Sequence, residues 1–216
     1  MSRKPGIFIS CLVLAFAVSQ PVHAINGGVL GGISVNWLGG DSWHDALDEF
    51  NADNHGQPEL VYGAFLEFSY SDRVSFRPEI QVIAAMGEGT GTLAGLPSRI
   101  EATARVLHVP LFVCGRYPSG PGNFYGLLGP TFNFFLTDIR NESTLLGMDT
   151  KVSENPYYGV VIGAAAGIGY ELPILSARVT ADLRYHRSLT PIMEEGEDNF
   201  QSAVFMLGVS LPIPTD

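Results

Sequence analysis

Val74-Ser75-Phe76-Arg77-Pro78-Glu79-Ile80-Gln81-Val82 alternates without a break, apolar at its even positions and polar or charged at its odd ones. A period of two marks a β-strand with one polar and one apolar face. Ala177-Arg178-Val179-Thr180-Ala181-Asp182-Leu183-Arg184-Tyr185-His186 repeats the pattern with the parity reversed. A strand covered by apolar layers on both faces could not accommodate Arg77, Glu79, Asp182 and Arg184.

Outward from these two stretches, eight alternating segments can be marked, at 28–37, 60–70, 74–86, 103–115, 123–137, 157–170, 175–188 and 200–213. Most are near the ten residues that a tilted strand needs to cross a bilayer, against about five or six for a soluble strand. The connections, 38–59, 71–73, 87–102, 116–122, 138–156, 171–174 and 189–199, alternate long and short, beginning long. Tight turns on one rim and free loops on the other are the habit of outer-membrane barrels. The expected fold is all-β: an eight-stranded antiparallel up-and-down transmembrane β-barrel with short periplasmic turns and long outer loops. A long first connection puts both chain ends in the periplasm.

Composition agrees. The chain of 216 residues is 46% hydrophobic and only 16% charged, with 25 glycines. Arg3 and Lys4, the apolar run Ile7 to Val18 and the small-residue site Val22-His23-Ala24 read as a cleaved signal peptide over residues 1–24, leaving the barrel domain at 25–216. A lipoprotein acylated at Cys11 would have almost no apolar run ahead of it. Beyond the leader, the segment from Tyr157 to Tyr170 comes nearest to a spanning helix, and Gly159, Gly163, Gly167 and Gly169 argue against helix there. Loss of Arg3 and Lys4 leaves 10 basic against 22 acidic residues, a balance that excludes binding through a nucleic-acid phosphate backbone. Cys114 then stands alone, so no internal disulfide can form.

Gly63-Ala64-Phe65-Leu66-Glu67-Phe68, the turn Ser71-Asp72-Arg73 and Val74 to Ile80 resemble the first hairpin of the porin-family, PorT-like outer-membrane β-barrel domain. His108-Val109-Pro110-Leu111 is similar to that family's proline-centred apolar strand. Phe124-Tyr125-Gly126-Leu127-Leu128-Gly129-Pro130 and Val179 to Tyr185 resemble later strands. The order and spacing of these motifs span nearly the whole mature chain. The ending, Leu211-Pro212-Ile213-Pro214-Thr215-Asp216, departs from the family's aromatic terminus. The resemblance implies fold and outer-membrane location rather than an activity.

In a membrane barrel the apolar face must meet lipid. The inward set is then Ser34, Asn36, Glu67, Ser75, Arg77, Glu79, Gln81, Thr131, Asn133, Arg178, Thr180, Asp182, Arg184 and His186. Gly159, Gly163, Ala165, Gly167 and Gly169 share that face and make room for long side chains. Eight strands enclose little more than their own side chains. Glu67, Arg77, Glu79, Asp182, Arg184 and His186 are therefore expected to form a structural ion network filling a polar, charged lumen. The aromatic residues near strand ends, Trp37, Tyr62, Tyr70, Phe76, Tyr117, Phe124, Tyr125, Phe135, Tyr157, Tyr158, Tyr170 and Tyr185, suggest interfacial girdles.

No catalytic signature stands out among His44, His55, His108 and His186, and no enzyme activity, cofactor or metal site is expected. Asp41, His44, Asp45, Asp48, Glu49, Asp53 and His55 in the first connection lack the ordered spacing of a calcium loop and read as a solvated acidic loop, as does Glu194-Glu195-Gly196-Glu197-Asp198. The glycine-rich stretch from Met86 to Thr92 reads as a flexible loop, and Cys114 as structural. The expected role is a surface-exposed structural or interaction barrel with a plugged lumen. Its partners are outer-membrane lipids and external ligands met by the acidic loops 38–59 and 189–199. A narrow small-molecule transporter and a soluble periplasmic lipocalin-like barrel are the alternatives.

Overall fold

The computed structural model describes residues 22–49, 52–93, 96–145, 148–154, 160–191 and 199–214. The proposed leader, the stretch Glu194 to Asp198, and Tyr157, Tyr158 and Gly159 lie outside them or partly so. The chain runs β1 (Ala24–Gly39), α1 (Asp41–Glu49), β2 (Ala52–His55), β3 (Gln57–Ser69), β4 (Val74–Leu93), β5 (Leu96–Ser119), β6 (Gly122–Phe135), β7 (Ile139–Leu145), β8 (Met148–Glu154), β9 (Val160–Ile174), β10 (Ala177–Ser188) and β11 (Asn199–Ile213). Eight of these strands close a ring in the order β1, β3, β4, β5, β6, β9, β10, β11, every pair antiparallel, with β11 returning to β1.

Paired residues followed once around the ring from Ala24 lead through Ser69, Ser75, Cys114, Leu127, Gly167, Arg184 and Val204 back to β1 at Ser34, ten residues along the same strand. With a rise of about 3.3 Å per residue and about 4.8 Å between strands, that stagger tilts the strands by about 40°. On β1 the outward side chains from Ile25 to Trp37 then project to about 30 Å along the axis, the thickness of a bilayer's hydrocarbon core.

The short connections are tight turns. Ser71 Oγ accepts from the backbone N–H groups of Arg73 and Val74 at 3.3 and 3.1 Å. Gly120 sits at φ 62° between β5 and β6, and Leu175 takes φ 55° between β9 and β10. At the opposite rim three connections carry structure of their own. Gly40, at φ 122°, turns the chain out of β1, and His44 N–H then donates to Gly40 C=O at 3.0 Å to open α1. Leu47 of α1 is buried against Ile100 and Ala102, with Leu38 and Ala52 beside them. The stretch 86–92, expected as a flexible loop, is strand instead. β4 and β5 continue pairing from Met86↔Thr103 to Leu93↔Leu96, with β2 on the β4 edge and the β7–β8 hairpin on the β5 edge. These neighbours satisfy backbone groups that the glycines, read alone, had suggested were left to water.

The two faces divide as the alternation requires. Ile80, Leu183 and Leu207 point outward and are 58%, 56% and 53% exposed, while Glu79 and Arg184 are sealed inside. A soluble lipocalin-like barrel would have the reverse arrangement. Tyr117 and Phe124 are exposed beside the tight turns, and Trp37 and Tyr185 meet near the other rim with ring centroids 6.4 Å apart. Two residues expected in the girdles face inward: Tyr125 is buried, and Phe135 packs against an internal apolar cluster.

The lumen is not polar throughout, as the sequence had suggested. Leu30, Val61, Phe65, Ile83, Ala104, Val106, Val161, Phe200, Val204 and Met206 form that internal cluster. Val61 and Ile83 have the inward parity of Glu67 and of Arg77, Glu79 and Gln81, but they sit within the apolar runs Leu60-Val61-Tyr62 and Val82-Ile83-Ala84, where the polar residues that mark the inward face stop.

Tryptophan placed at Ile80 or Leu183 is expected to be quenched by brominated acyl chains, and tryptophan at Gln81 is not. Leu183→Arg is expected to cost about 2–4 kcal/mol of folding free energy in vesicles, read from urea titration.

Candidate functional site

The candidate site is the lumen, because that is where strand alternation gathers the titratable groups. Their chemistry divides into two charge-balanced quartets at different levels.

The first lies near the mouth bordered by the tight turns. Arg116, inward on β5, donates from Nη2 to Glu67 Oε2 at 2.5 Å, from Nε to Glu171 Oε2 at 3.1 Å and from Nη1 to Ser75 Oγ at 2.9 Å. Arg178 reaches the other oxygen of Glu67 at 3.2 Å, and Asn123 Nδ2 donates to Glu171 Oε1 at 2.8 Å. Two arginines thus face two carboxylates. Below them a cavity of about 370 Å³ opens at this mouth, lined in part by Arg116, Asn123, Glu171 and Arg178.

The second quartet lies deeper. Arg184 on β10 donates from Nη1 and Nη2 to Glu79 on β4 at 2.6 and 3.3 Å, from Nη2 to Asp182 Oδ2 at 3.1 Å, and it pairs through Nε with Asp182 Oδ1. β4 and β10 stand on opposite sides of the ring, so the Arg184–Glu79 pair spans its diameter. Arg77 Nε lies 2.7 Å from Glu79 Oε1, and its guanidinium sits 3.9 Å above the centre of the Phe65 ring. Tyr125 Oη donates to Asp182 Oδ2 at 2.6 Å, and Gln81 Nε2 to Glu79 Oε2 at 2.5 Å. The forked pairs of Arg184 with Glu79 and Asp182 satisfy these ions, which is what makes burying them tolerable, whereas Arg77 Nε and Nη2 make no hydrogen bond.

The six residues singled out from sequence are therefore not one network. Arg77, Glu79, Asp182 and Arg184 come together. Glu67 belongs to the other quartet, with Arg116 and Arg178. His186 makes no ion pair among the described residues; its ring stacks on His108 across the lumen, with centroids 4.6 Å apart and planes 18° from parallel. His108 in turn lies 2.5 Å from Asn133 through Nδ1. Arg116, Glu171, Tyr125 and His108 were missed. Strict parity counted from Thr131 and Asn133 places Tyr125 on the inward face, and parity counted from Gly163 to Gly169 places Glu171 there; Arg116 and His108 share a face with Cys114.

Small residues make the space, beside the long side chains as well as across from them. A Cβ on Gly169 would come within 2.5 Å of the Tyr125 ring and 2.6 Å of Asp182 Cβ, and one on Gly167 within 3.0 Å of Arg184 Cγ. Arg77, Glu79, Gln81, His108, Phe112, Arg184 and His186 are each less than 2% exposed, so the middle of the barrel is closed by side chains.

In the first connection, His44, Asp45, Asp48, Glu49, Asp53 and His55 are exposed on α1 and β2. Among the described residues no group of three His, Cys, Asp or Glu is placed to hold a metal ion. Cys114 is buried beside Tyr125 and Phe112.

No family model matches the chain, and no curated protein matches it. Solved structures do. The outer membrane protein OprG from Pseudomonas aeruginosa is 11% identical over 91% of this chain and 99% of its own, with a TM-score of 0.52. Ail of Yersinia pestis, 11% identical, covers 87% of this chain and 98% of its own at 0.41. Neisserial surface protein A, 11% identical, covers 86% of this chain and 96% of its own at 0.42. The fold is that of the small eight-stranded outer-membrane barrels.

Glu79→Ala leaves Arg77 and Arg184 facing Asp182 alone, and is expected to lower unfolding free energy by about 3–5 kcal/mol. Combined with Arg184→Met it should cost less than the two single changes added, as a double-mutant cycle in urea would read. Gly169→Ala should cost about 1–3 kcal/mol by forcing Tyr125 and Asp182 apart.

Proposed function

We propose that this chain is a non-enzymatic, integral outer-membrane barrel with a sealed lumen, which acts through the structured rim opposite its tight turns. It is exported by a leader over residues 1–24 and sits in the outer membrane with its tight turns toward the periplasm. Within that class, the order of the motifs from Gly63 to Tyr185 favours the porin-family, PorT-like group.

One observation carries the reading: the Arg184–Glu79 pair crosses the full width of the barrel with both ions inaccessible to water. A path for solutes would have to break it, and separating a buried pair costs several kcal/mol. The histidine stack and the internal apolar cluster add further layers. Above them, Leu47 of α1 packs against Ile100 and Ala102 on the part of β5 that continues the lumen-facing side.

The outer rim is where the chain has invested its additional structure. α1 and β2 display Asp45, Asp48, Glu49 and Asp53 to solvent, an acidic surface suited to cationic partners. The connection 189–199 adds acidic residues by sequence. External ligands would be met here rather than within the barrel.

In planar bilayers the refolded protein is expected to give a flat current trace. Reproducible, well-resolved openings would overturn the sealed-lumen reading in favour of a narrow transporter.

A further inference from the structure

The barrel strands sort their charges by face. Glu67, Arg77, Glu79, Arg116, Asp182 and Arg184 all point into the lumen. Between the tight turns and the level of Trp37, the charged side chains facing lipid are Arg105 on β5 and Arg187 on β10, both exposed and both at the rim of the apolar band. Arg187 is paired with Gln201, and Gln201 with Trp37, so these three share one outward row. Arg140 on β7 pairs with Thr103, two residues from Arg105 on the same face of β5, and is exposed as well. None of the three arginines makes an ion pair among the described residues, and Asp138, exposed nearby, pairs with none of them.

The chain holds 22 acidic and 12 basic residues. Against that composition, both lipid-facing charges up to the level of Trp37 are basic, while beyond it Arg140 shares its outward face with Glu101 and Glu142. At the depth where hydrocarbon gives way to headgroups, a guanidinium keeps its stem in apolar surroundings and presents its planar fork to whatever anion lies there. A lipid phosphate fits that fork, and its hydrogen bonds are charge-assisted on both sides. Trp37 and Tyr185, next to Arg187, fix the same depth as an interface.

We propose that Arg105, Arg140 and Arg187 bind phosphate groups of the outer-leaflet lipid. The inference rests on the outer-membrane placement above and adds a lipid-recognition surface to it.

The test is refolding into phosphatidylcholine vesicles with increasing fractions of bis-phosphorylated lipid A, following the temperature at which heat-modifiable gel mobility is lost. That temperature is expected to rise with lipid A and to rise less with the monophosphorylated form. In Arg105→Gln/Arg140→Gln/Arg187→Gln, the fraction needed for half the effect should increase roughly tenfold or more. Arg73→Gln, which removes one positive charge from the exposed turn at the other end, should leave the response intact. Inorganic phosphate at matched concentration should not substitute, which separates the lipid from a free anion. An identical lipid A response in the triple variant, or none in the wild type, overturns the arginine sites while leaving the barrel reading standing. Failure to insert into any vesicle overturns both.

Discussion

A bilayer core offers no water to the peptide group, so every N–H and C=O of a strand crossing it must be paired within the protein. Closure of β11 onto β1 meets that requirement, and the rest of the molecule follows from it. A closed ring has no free edge, and its strands must tilt to close. Its two faces are then committed to different solvents, lipid outside and a narrow enclosed volume inside. Side chains such as Ile80 and Leu183 are exposed because their solvent is hydrocarbon.

The enclosed volume sets the second condition. Charges turned away from lipid are placed together in a space with little water, where an unpaired ion would be severely destabilising. The sequence meets this with two neutral quartets. Each carboxylate of the deeper quartet is satisfied by more than one donor: Glu79 by Arg184 and Gln81, Asp182 by Arg184 and Tyr125. Glycines at 167 and 169 leave the room that these long side chains occupy. The same arrangement fills the middle of the barrel with buried side chains.

Beyond the bilayer the constraint changes. β4 and β5 extend past the apolar band as a sheet, flanked by β2 and β7–β8, and α1 packs Leu47 against it. Water is available there, so the chain can carry exposed acids and short edge strands that the membrane region could not tolerate. The periplasmic rim has only tight turns, and the contrast explains why one rim can diversify while the other stays minimal.

Much of this was determined by the sequence alone. A period of two assigns each side chain of a strand to a face without reference to its neighbours, so the inward positions of Arg77, Glu79, Asp182 and Arg184 were legible from their own segments. So were the tight turns near Ser71 and Leu175 and the long first connection. At Leu60-Val61-Tyr62 parity from Glu67 places Val61 inward, but an inward set chosen by polarity passes over it, so the internal apolar cluster was missed. Only the tertiary structure decided which charges meet. Arg184 finds Glu79, and Glu67 finds Arg116 and Arg178, because the stagger of ten residues around the ring sets which positions share a level. That stagger belongs to the closed ring and to no single strand.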